Sequence, residues 1–172
     1  ITITALPVAT FSYLGTPYCS SSANALPQMG IGATKGSFSA LPAGLVINAS
    51  TGEINPGASV AGTYTVTNTI AAANGCGQVS STANITITAL PIAGFSYTGS
   101  PYCKSGGNPM VTLNTGATAG LFSSTAGLAF ANTATGEINM ATSTPGTYVV
   151  TNTIAAANGC GAAGIRTGHP ID

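Results

Sequence analysis

Between positions 63 and 70 the chain alternates apolar and hydroxyl-bearing residues: Tyr64, Val66 and Ile70 on one side, Thr63, Thr65, Thr67 and Thr69 on the other. A period of two is what a half-buried β-strand requires. Asn68 falls on the apolar side of that alternation, which predicts either a buried amide or a bulge. A second alternation over 83–88 turns Ile85 and Ile87 inward. Val46 and Ile47, followed by Ser50-Thr51-Gly52-Glu53-Ile54, predict a strand, a tight turn and a second strand. Helical periodicity is nowhere sustained. The 23 glycines and 10 prolines divide the chain into short strands at the spacing of a β-sandwich, so the expected fold class is all-β.

The pattern occurs twice. Ile-Thr-Ile-Thr-Ala-Leu-Pro opens the chain at Ile1 and returns at Ile85, 84 positions on, and residues 67–77 are identical to residues 151–161. Phe11-Ser12-Tyr13 returns as Phe95-Ser96-Tyr97, and Pro17-Tyr18-Cys19 as Pro101-Tyr102-Cys103. Self-similarity at a fixed period marks a repeat architecture, and the expected division is 1–84 and 85–172. Residues 162–172 do not copy the 78–88 segment that they should match. They are expected to be an atypical tail: a chain terminus, an appended segment or a surface that faces a partner.

Charge changes the picture more than any motif does. Charged residues make up 3% of the chain: Lys35, Lys104 and Arg166 against Glu53, Glu137 and Asp172, with His169 as the one imidazole. Three scattered cations make no phosphate-binding footprint, which argues against nucleic acid as a partner. Acid–base catalysis needs a positioned proton carrier, and a calcium cage needs several carboxylates where each copy holds one. No catalytic, cofactor or metal residue is therefore expected. No apolar run is long enough for a membrane-spanning helix. The abrupt start, without Met or an apolar leader, is expected of a mature product or a fragment of something longer.

The four cysteines fall two per copy, Cys19 with Cys76 and Cys103 with Cys160, each pair 57 positions apart. In a secreted protein that arithmetic points to disulfides. Pairing within each copy is the expectation, with free thiols or pairing between copies as the alternatives. No His lies near any of them, so zinc is not expected. Cys76 lies in the turn-like Asn74-Gly75-Cys76-Gly77 and the chain has no Trp, so the bridge reads as a loop staple rather than the core disulfide of antibody domains. Glu53 and Glu137 occupy equivalent places after a hairpin glycine and read as structural, bound to a backbone N–H or a neighbouring domain. The Thr-x-Thr runs read as solvated strand faces. Tyr13, Tyr18 and Tyr64 recur as Tyr97, Tyr102 and Tyr148, and a carbohydrate-binding module would need such rings exposed on one face.

Leu41-Pro42-Ala43-Gly44-Leu45, Thr51-Gly52-Glu53-Ile54 and Ala61-Gly62-Thr63-Tyr64-Thr65-Val66 together resemble the signature of bacterial immunoglobulin-like (cadherin-like) tandem repeats. The second copy keeps Ala126-Gly127-Leu128, Thr135-Gly136-Glu137-Ile138 and Gly146-Thr147-Tyr148 but lacks the Leu-Pro pair. The whole unit is also similar to repeats of very large secreted surface proteins of gliding Bacteroidota. These resemblances imply two tandem immunoglobulin-like β-sandwich domains, extracellular and at the cell surface, serving as a stalk or adhesive segment. The partners they imply are neighbouring repeats or identical subunits, with surface glycans as a further candidate. Ile1, Thr2, Ile3 and Thr4, with their counterparts Ile85, Thr86, Ile87 and Thr88, are the expected interdomain or subunit contacts. In the rival reading, a self-assembling filament, the leading strand completes a neighbour by strand addition.

Overall fold

The computed structural model describes residues 1–171, with side chains to residue 164. It divides into two compact units, Ile1–Leu90 with Asn158–Cys160 and Pro91–Ala157 with Gly161–Asp172. Both are built from β-strands. Among the described residues the helical structure is one three-residue 3-10 turn, Pro56–Ala58, and no helix is long and apolar enough to cross a membrane.

In the first unit the strands are β1 (Phe11–Ser12), β2 (Tyr18–Cys19), β3 (Gln28–Met29), β4 (Ser37–Leu41), β5 (Gly62–Ile70) and β6 (Val79–Thr88). They form a four-stranded sheet in the order β2-β6-β5-β4 and a pair β1-β3. The β5–β6 hairpin runs in unbroken antiparallel register from Gly62↔Ile87 to Ile70↔Val79. β2 lies parallel to β6 at its far end, Cys19 opposite Thr88. β6 crosses position 84, so the division expected at 84/85 cuts through a strand. The repeat offset fixes the period of the chain but not its phase.

The inward face of this hairpin is the one that the alternation marks. Tyr64, Val66, Ile85 and Ile87 are buried together with Phe11, Tyr13, Phe38 and Ile54. Phe11 of the small sheet meets Phe38 of the large one edge to face, with centroids 5.4 Å apart, an arrangement favoured by the ring quadrupoles. The core therefore lies between the two sheets.

The second unit repeats the plan with β7 (Phe95–Ser96), β8 (Thr112–Leu113), β9 (Leu121–Ser124), β10 (Phe130–Asn132), β11 (Glu137–Ile138), β12 (Gly146–Ile154) and β13 (Ala163–Ile171). The order β13-β12-β9 is flanked by the pairs β7-β8 and β10-β11. β12 pairs with β13 from Gly146↔Ile171 to Ile154↔Ala163, the register that β5 and β6 have. The segment with no counterpart in the repeat thus forms a strand in the place of β6. The side chain of His169 lies outside the described residues.

Asn68 is fully buried and the register passes through it one for one, Phe38↔Asn68 and Asn68↔Ser81. It is a buried amide and not a bulge. Its Nδ2 donates to the carbonyls of Ala9 (3.0 Å) and Thr34 (3.1 Å), and its Oδ1 accepts from the Gly36 N–H at 2.8 Å. Asn152 makes the same three bonds with Ala93, Thr118 and Gly120. Gly36 is required beside it, because a Cβ there would collide with the Thr69 carbonyl oxygen.

Replacing Asn68 by the near-isosteric Leu leaves the buried Ala9 carbonyl and the partly buried Thr34 carbonyl and Gly36 N–H without their partner, so the expected loss is about 2–4 kcal/mol of stability. Urea denaturation of Asn68→Leu, with the exposed Thr65→Ala as a control expected to stay within about 0.5 kcal/mol, measures it. A loss below about 1 kcal/mol would show that the amide ties nothing together.

Candidate functional site

The cysteines pair otherwise than the spacing suggests. Cys19 is bonded to Cys160, with Cα atoms 4.6 Å apart, whereas Cys76 and Cys103 are free thiols. The expected pairs Cys19–Cys76 and Cys103–Cys160 do not form, and the β5–β6 hairpin explains the first. Cys76 lies in the turn that closes it, whereas Cys19 sits beside Thr88 at the opposite end of a ten-residue strand. At about 3.3 Å per residue the two are roughly 30 Å apart, against the ~7 Å or less that a disulfide spans between Cα atoms.

The turn itself is a two-residue hairpin. Ala73 and Cys76 exchange both backbone hydrogen bonds, and Asn74 and Gly75 have φ of 52° and 80°, as an Asn-Gly type I′ turn requires. Cys76 Sγ lies 3.9 and 3.7 Å from the Thr4 and Ala5 carbonyl oxygens. Asn158 and Gly159 repeat these dihedrals, with φ of 50° and 81°. Cys160 Sγ lies 3.8 and 3.5 Å from the carbonyl oxygens of Thr88 and Ala89, the residues 84 positions after Thr4 and Ala5. The second cysteine of each copy thus lies against the residues that lead into that copy. In the first copy, Cys19 lies beside Thr88, a residue that leads out of it.

Gly159 packs so closely on the β2 segment that a Cβ would collide with the Pro17 carbonyl oxygen. Its counterpart Gly75 has nothing within 4 Å of that position. Cys103 is exposed, and its Sγ lies 3.1 Å from Ser105 Oγ. The hydrogen bonds from the Ser105 side chain and then its backbone hold this thiol below its ordinary pKa.

Ile85 and Ile87, expected as contacts with a neighbour, are 1% and 2% exposed and belong to the core of the first unit. Thr86 meets Thr63 across the hairpin, Oγ1 to Oγ1 at 3.2 Å, and the Thr88 carbonyl accepts the Ser20 N–H at 2.8 Å. Ile1, Thr2 and Ile3 are exposed and lie outside any strand, and Thr4 Oγ1 donates to the Asn74 carbonyl at 2.8 Å. Glu53 and Glu137 accept amide hydrogen bonds from Asn24 (2.9 Å) and Asn108 (3.3 Å), side chains to which no motif or spacing in the sequence points. Among the described residues no group of three or more His, Cys, Asp or Glu side chains gathers.

None of the six tyrosines and five phenylalanines is in an exposed position. Tyr13 and Tyr97 are buried with their hydroxyls donating to the Gly52 and Gly136 carbonyls. Burial, with a smaller contribution from Tyr18 and Tyr102, drives both phenols far above their ordinary pKa. Tyr18 and Tyr102 are half-buried and bonded to Leu14 and Thr98.

No family model and no curated protein matches the chain. Among solved structures it is similar to a SusE-like, surface-located polysaccharide-binding protein from the heparin utilisation locus of Bacteroides thetaiotaomicron. The identity is 17% and the TM-score 0.33, over 96% of this chain and 34% of that one. The chain spans about a third of that protein, and a likeness at this score says nothing of ligand or arrangement.

Peptide mapping of the unreduced protein is expected to return a Cys19–Cys160 cross-link and alkylatable Cys76 and Cys103. Cys19→Ser is expected to lower the melting temperature by several degrees, and Cys76→Ser to leave it within about a degree. A Cys19–Cys76 peptide as the main product would overturn the pairing.

Proposed function

We propose that the chain is a non-enzymatic structural segment of a secreted cell-surface protein: two immunoglobulin-like sandwiches in tandem, acting as a stalk or fibre segment. The observation that carries this reading is the Cys19–Cys160 bond, which encloses most of the chain in one covalent loop. A pull applied to the two ends runs through that bond and bypasses the hydrogen-bonded strands between. Disulfides persist in oxidising surroundings outside the cytosol, which supports the extracellular placement.

Several features support the sandwich assignment. Tyr64 and Tyr148 stand at the start of β5 and β12 and donate to the carbonyls of Val60 and Thr144, four residues back, each at 2.6 Å. A tyrosine bonded a few residues upstream at such a corner is a hallmark of immunoglobulin-like sandwiches. The resemblance carried by residues 41–66 points the same way. No aromatic ring is fully exposed, and Tyr18, Tyr102 and Phe130 are half-buried, which disfavours the carbohydrate-binding alternative. The filament alternative keeps one observation in its favour. Ile1 and Ile3 are exposed, whereas the same tetrapeptide at 85–88 buries both isoleucines in a strand.

Pulling single molecules from both termini tests the mechanical reading. At about 3.5 Å per residue the unreduced chain is expected to extend by only about 100 Å, from the residues outside the loop, against about 600 Å after reduction. Full extension without reductant would remove the covalent tether and with it the ground for this role. A glycan array is expected to show no binding.

A further inference from the structure

The two free cysteines are the same two positions that form the bond elsewhere in the chain. Cys76 is the counterpart of Cys160, and Cys103 the counterpart of Cys19, each displaced by 84 residues. We propose that Cys76 and Cys103 are the two halves of an intermolecular disulfide, so that Cys103 of one copy of this chain bonds Cys76 of a second copy and the chains link head to tail.

The Cys76 half is folded as its bonded counterpart is, whereas Cys103 is exposed and in no strand, free to be laid along one. The 73–76 turn has the left-handed Asn-Gly pair that 157–160 has, and its cysteine sits on Thr4 and Ala5 as Cys160 sits on Thr88 and Ala89. What it lacks is the Pro-Tyr-Cys segment that Gly159 rests on; the space at Gly75 is open. A cleft of about 150 Å³ lies alongside, lined by Thr4, Ala5, Pro7, Ile70, Asn74 and Cys76. The second copy supplies that segment unchanged as Pro101-Tyr102-Cys103, with Tyr102 bonded to Thr98 as Tyr18 is to Leu14.

The partner strand is provided for as well. Tyr18 and Cys19 pair in parallel with Ile87 and Thr88, and Ile3-Thr4 repeats that sequence beside Cys76. A Tyr102-Cys103 segment laid along Ile3-Thr4 in that register therefore meets the Cys76 thiol. The interface is heterologous, one patch meeting a different patch, and so it joins chains head to tail, into a ring where the rotation closes and an open filament where it does not. This goes beyond the mechanical reading, which survives if the linkage does not form.

The chemistry needs a disulfide oxidant such as oxidised glutathione. The Cys103 thiolate attacks it and releases one glutathione thiolate; the Cys76 thiolate then attacks the Cys103 sulfur of the mixed disulfide and releases the second. Two thiols lose two protons and two electrons, and one glutathione disulfide becomes two thiols. The hydrogen bond from Ser105 favours the thiolate required for the first step.

The test incubates the non-reduced protein with oxidised glutathione and reads it on a non-reducing gel with peptide mapping. Wild type is expected to give a ladder in steps of one chain, with a Cys76–Cys103 peptide and an intact Cys19–Cys160 peptide. Cys76→Ser and Cys103→Ser are each expected to remain monomeric alone and to give a single dimer band when mixed. Gly75→Ala, which strains the left-handed turn and sets a methyl where the partner's proline carbonyl must sit, is expected to slow the ladder at least tenfold while both thiols still react with a small alkylating agent. The proposal is overturned by the absence of a ladder, by dimers that persist in either single variant, or by a Gly75→Ala ladder at the wild-type rate, which would mark ordinary thiol oxidation.

Discussion

Each unit depends on one amide placed where the sequence pattern calls for an aliphatic side chain. Asn68 reaches from near the turn end of β5 to three backbone groups, at Ala9, Thr34 and Gly36, none of which lies on a strand that β5 could pair with at those positions. Buried backbone groups away from a ladder must find a partner, and here a single side chain supplies two donor bonds and one acceptor. A leucine of similar volume would fill the space and leave all three wanting. The close passage of Gly36 past Thr69 follows from the same contact, because the loop is drawn down onto the strand too far for a side chain. Tyr13 does a related job nearby, carrying a hydroxyl through the core to the Gly52 carbonyl. In a chain with 3% charged residues, such directional bonds fix one arrangement where apolar packing alone would allow several.

Much of the architecture is legible because it rests on periodicity. The 63–70 alternation becomes β5 with its inward residues in the core, and the repeat carries the same pattern to β12. The buried amide is legible too, since an asparagine on the apolar face must either find polar partners inside the fold or break the register. The β13 strand is not legible: Gly164, Gly168 and Pro170 carry no alternation to speak of, and its pairing is imposed by the open edge of β12. Nor is the domain boundary, because a repeat can be cut anywhere in its period. The strand that ends at Thr88 and the leader that begins the next copy are contiguous, and only tertiary contacts separate them. The amide partners of Glu53 and Glu137 are equally hidden, since each lies 29 residues away along the chain.

The cysteines show how the same arithmetic misleads. A constant spacing of 57 is satisfied by pairing within copies, and it is satisfied as well by pairing the first cysteine of one copy with the second of the next. What decides is the direction of β6. Its ten residues carry the chain from the turn that holds Cys76 to the end that holds Cys19, so the two cysteines of one copy are kept apart by the length of the hairpin. The clue available in the sequence is that hairpin itself: an Asn-Gly turn ahead of an alternating strand places Cys76 at one end of the fold, but that Cys19 lies at the other, beside Thr88, is visible only in the pairing of β2 with β6.

A staple within a unit and a tie between copies answer different demands. The first restricts the unfolded chain and adds to thermal stability, which a domain with a well-formed aromatic core and a buried amide clamp has other means to secure. The second also restricts the unfolded chain, over a longer loop, and in addition determines where tension travels. β-Strands that share load through hydrogen bonds can be pulled apart in sequence, whereas a bond from Cys19 to Cys160 carries the pull past roughly 140 residues without asking any strand to hold. Placing the cysteines at opposite ends of the repeat is what makes the second outcome available, and a repeat that keeps both positions in every copy keeps that option open at each junction along the chain.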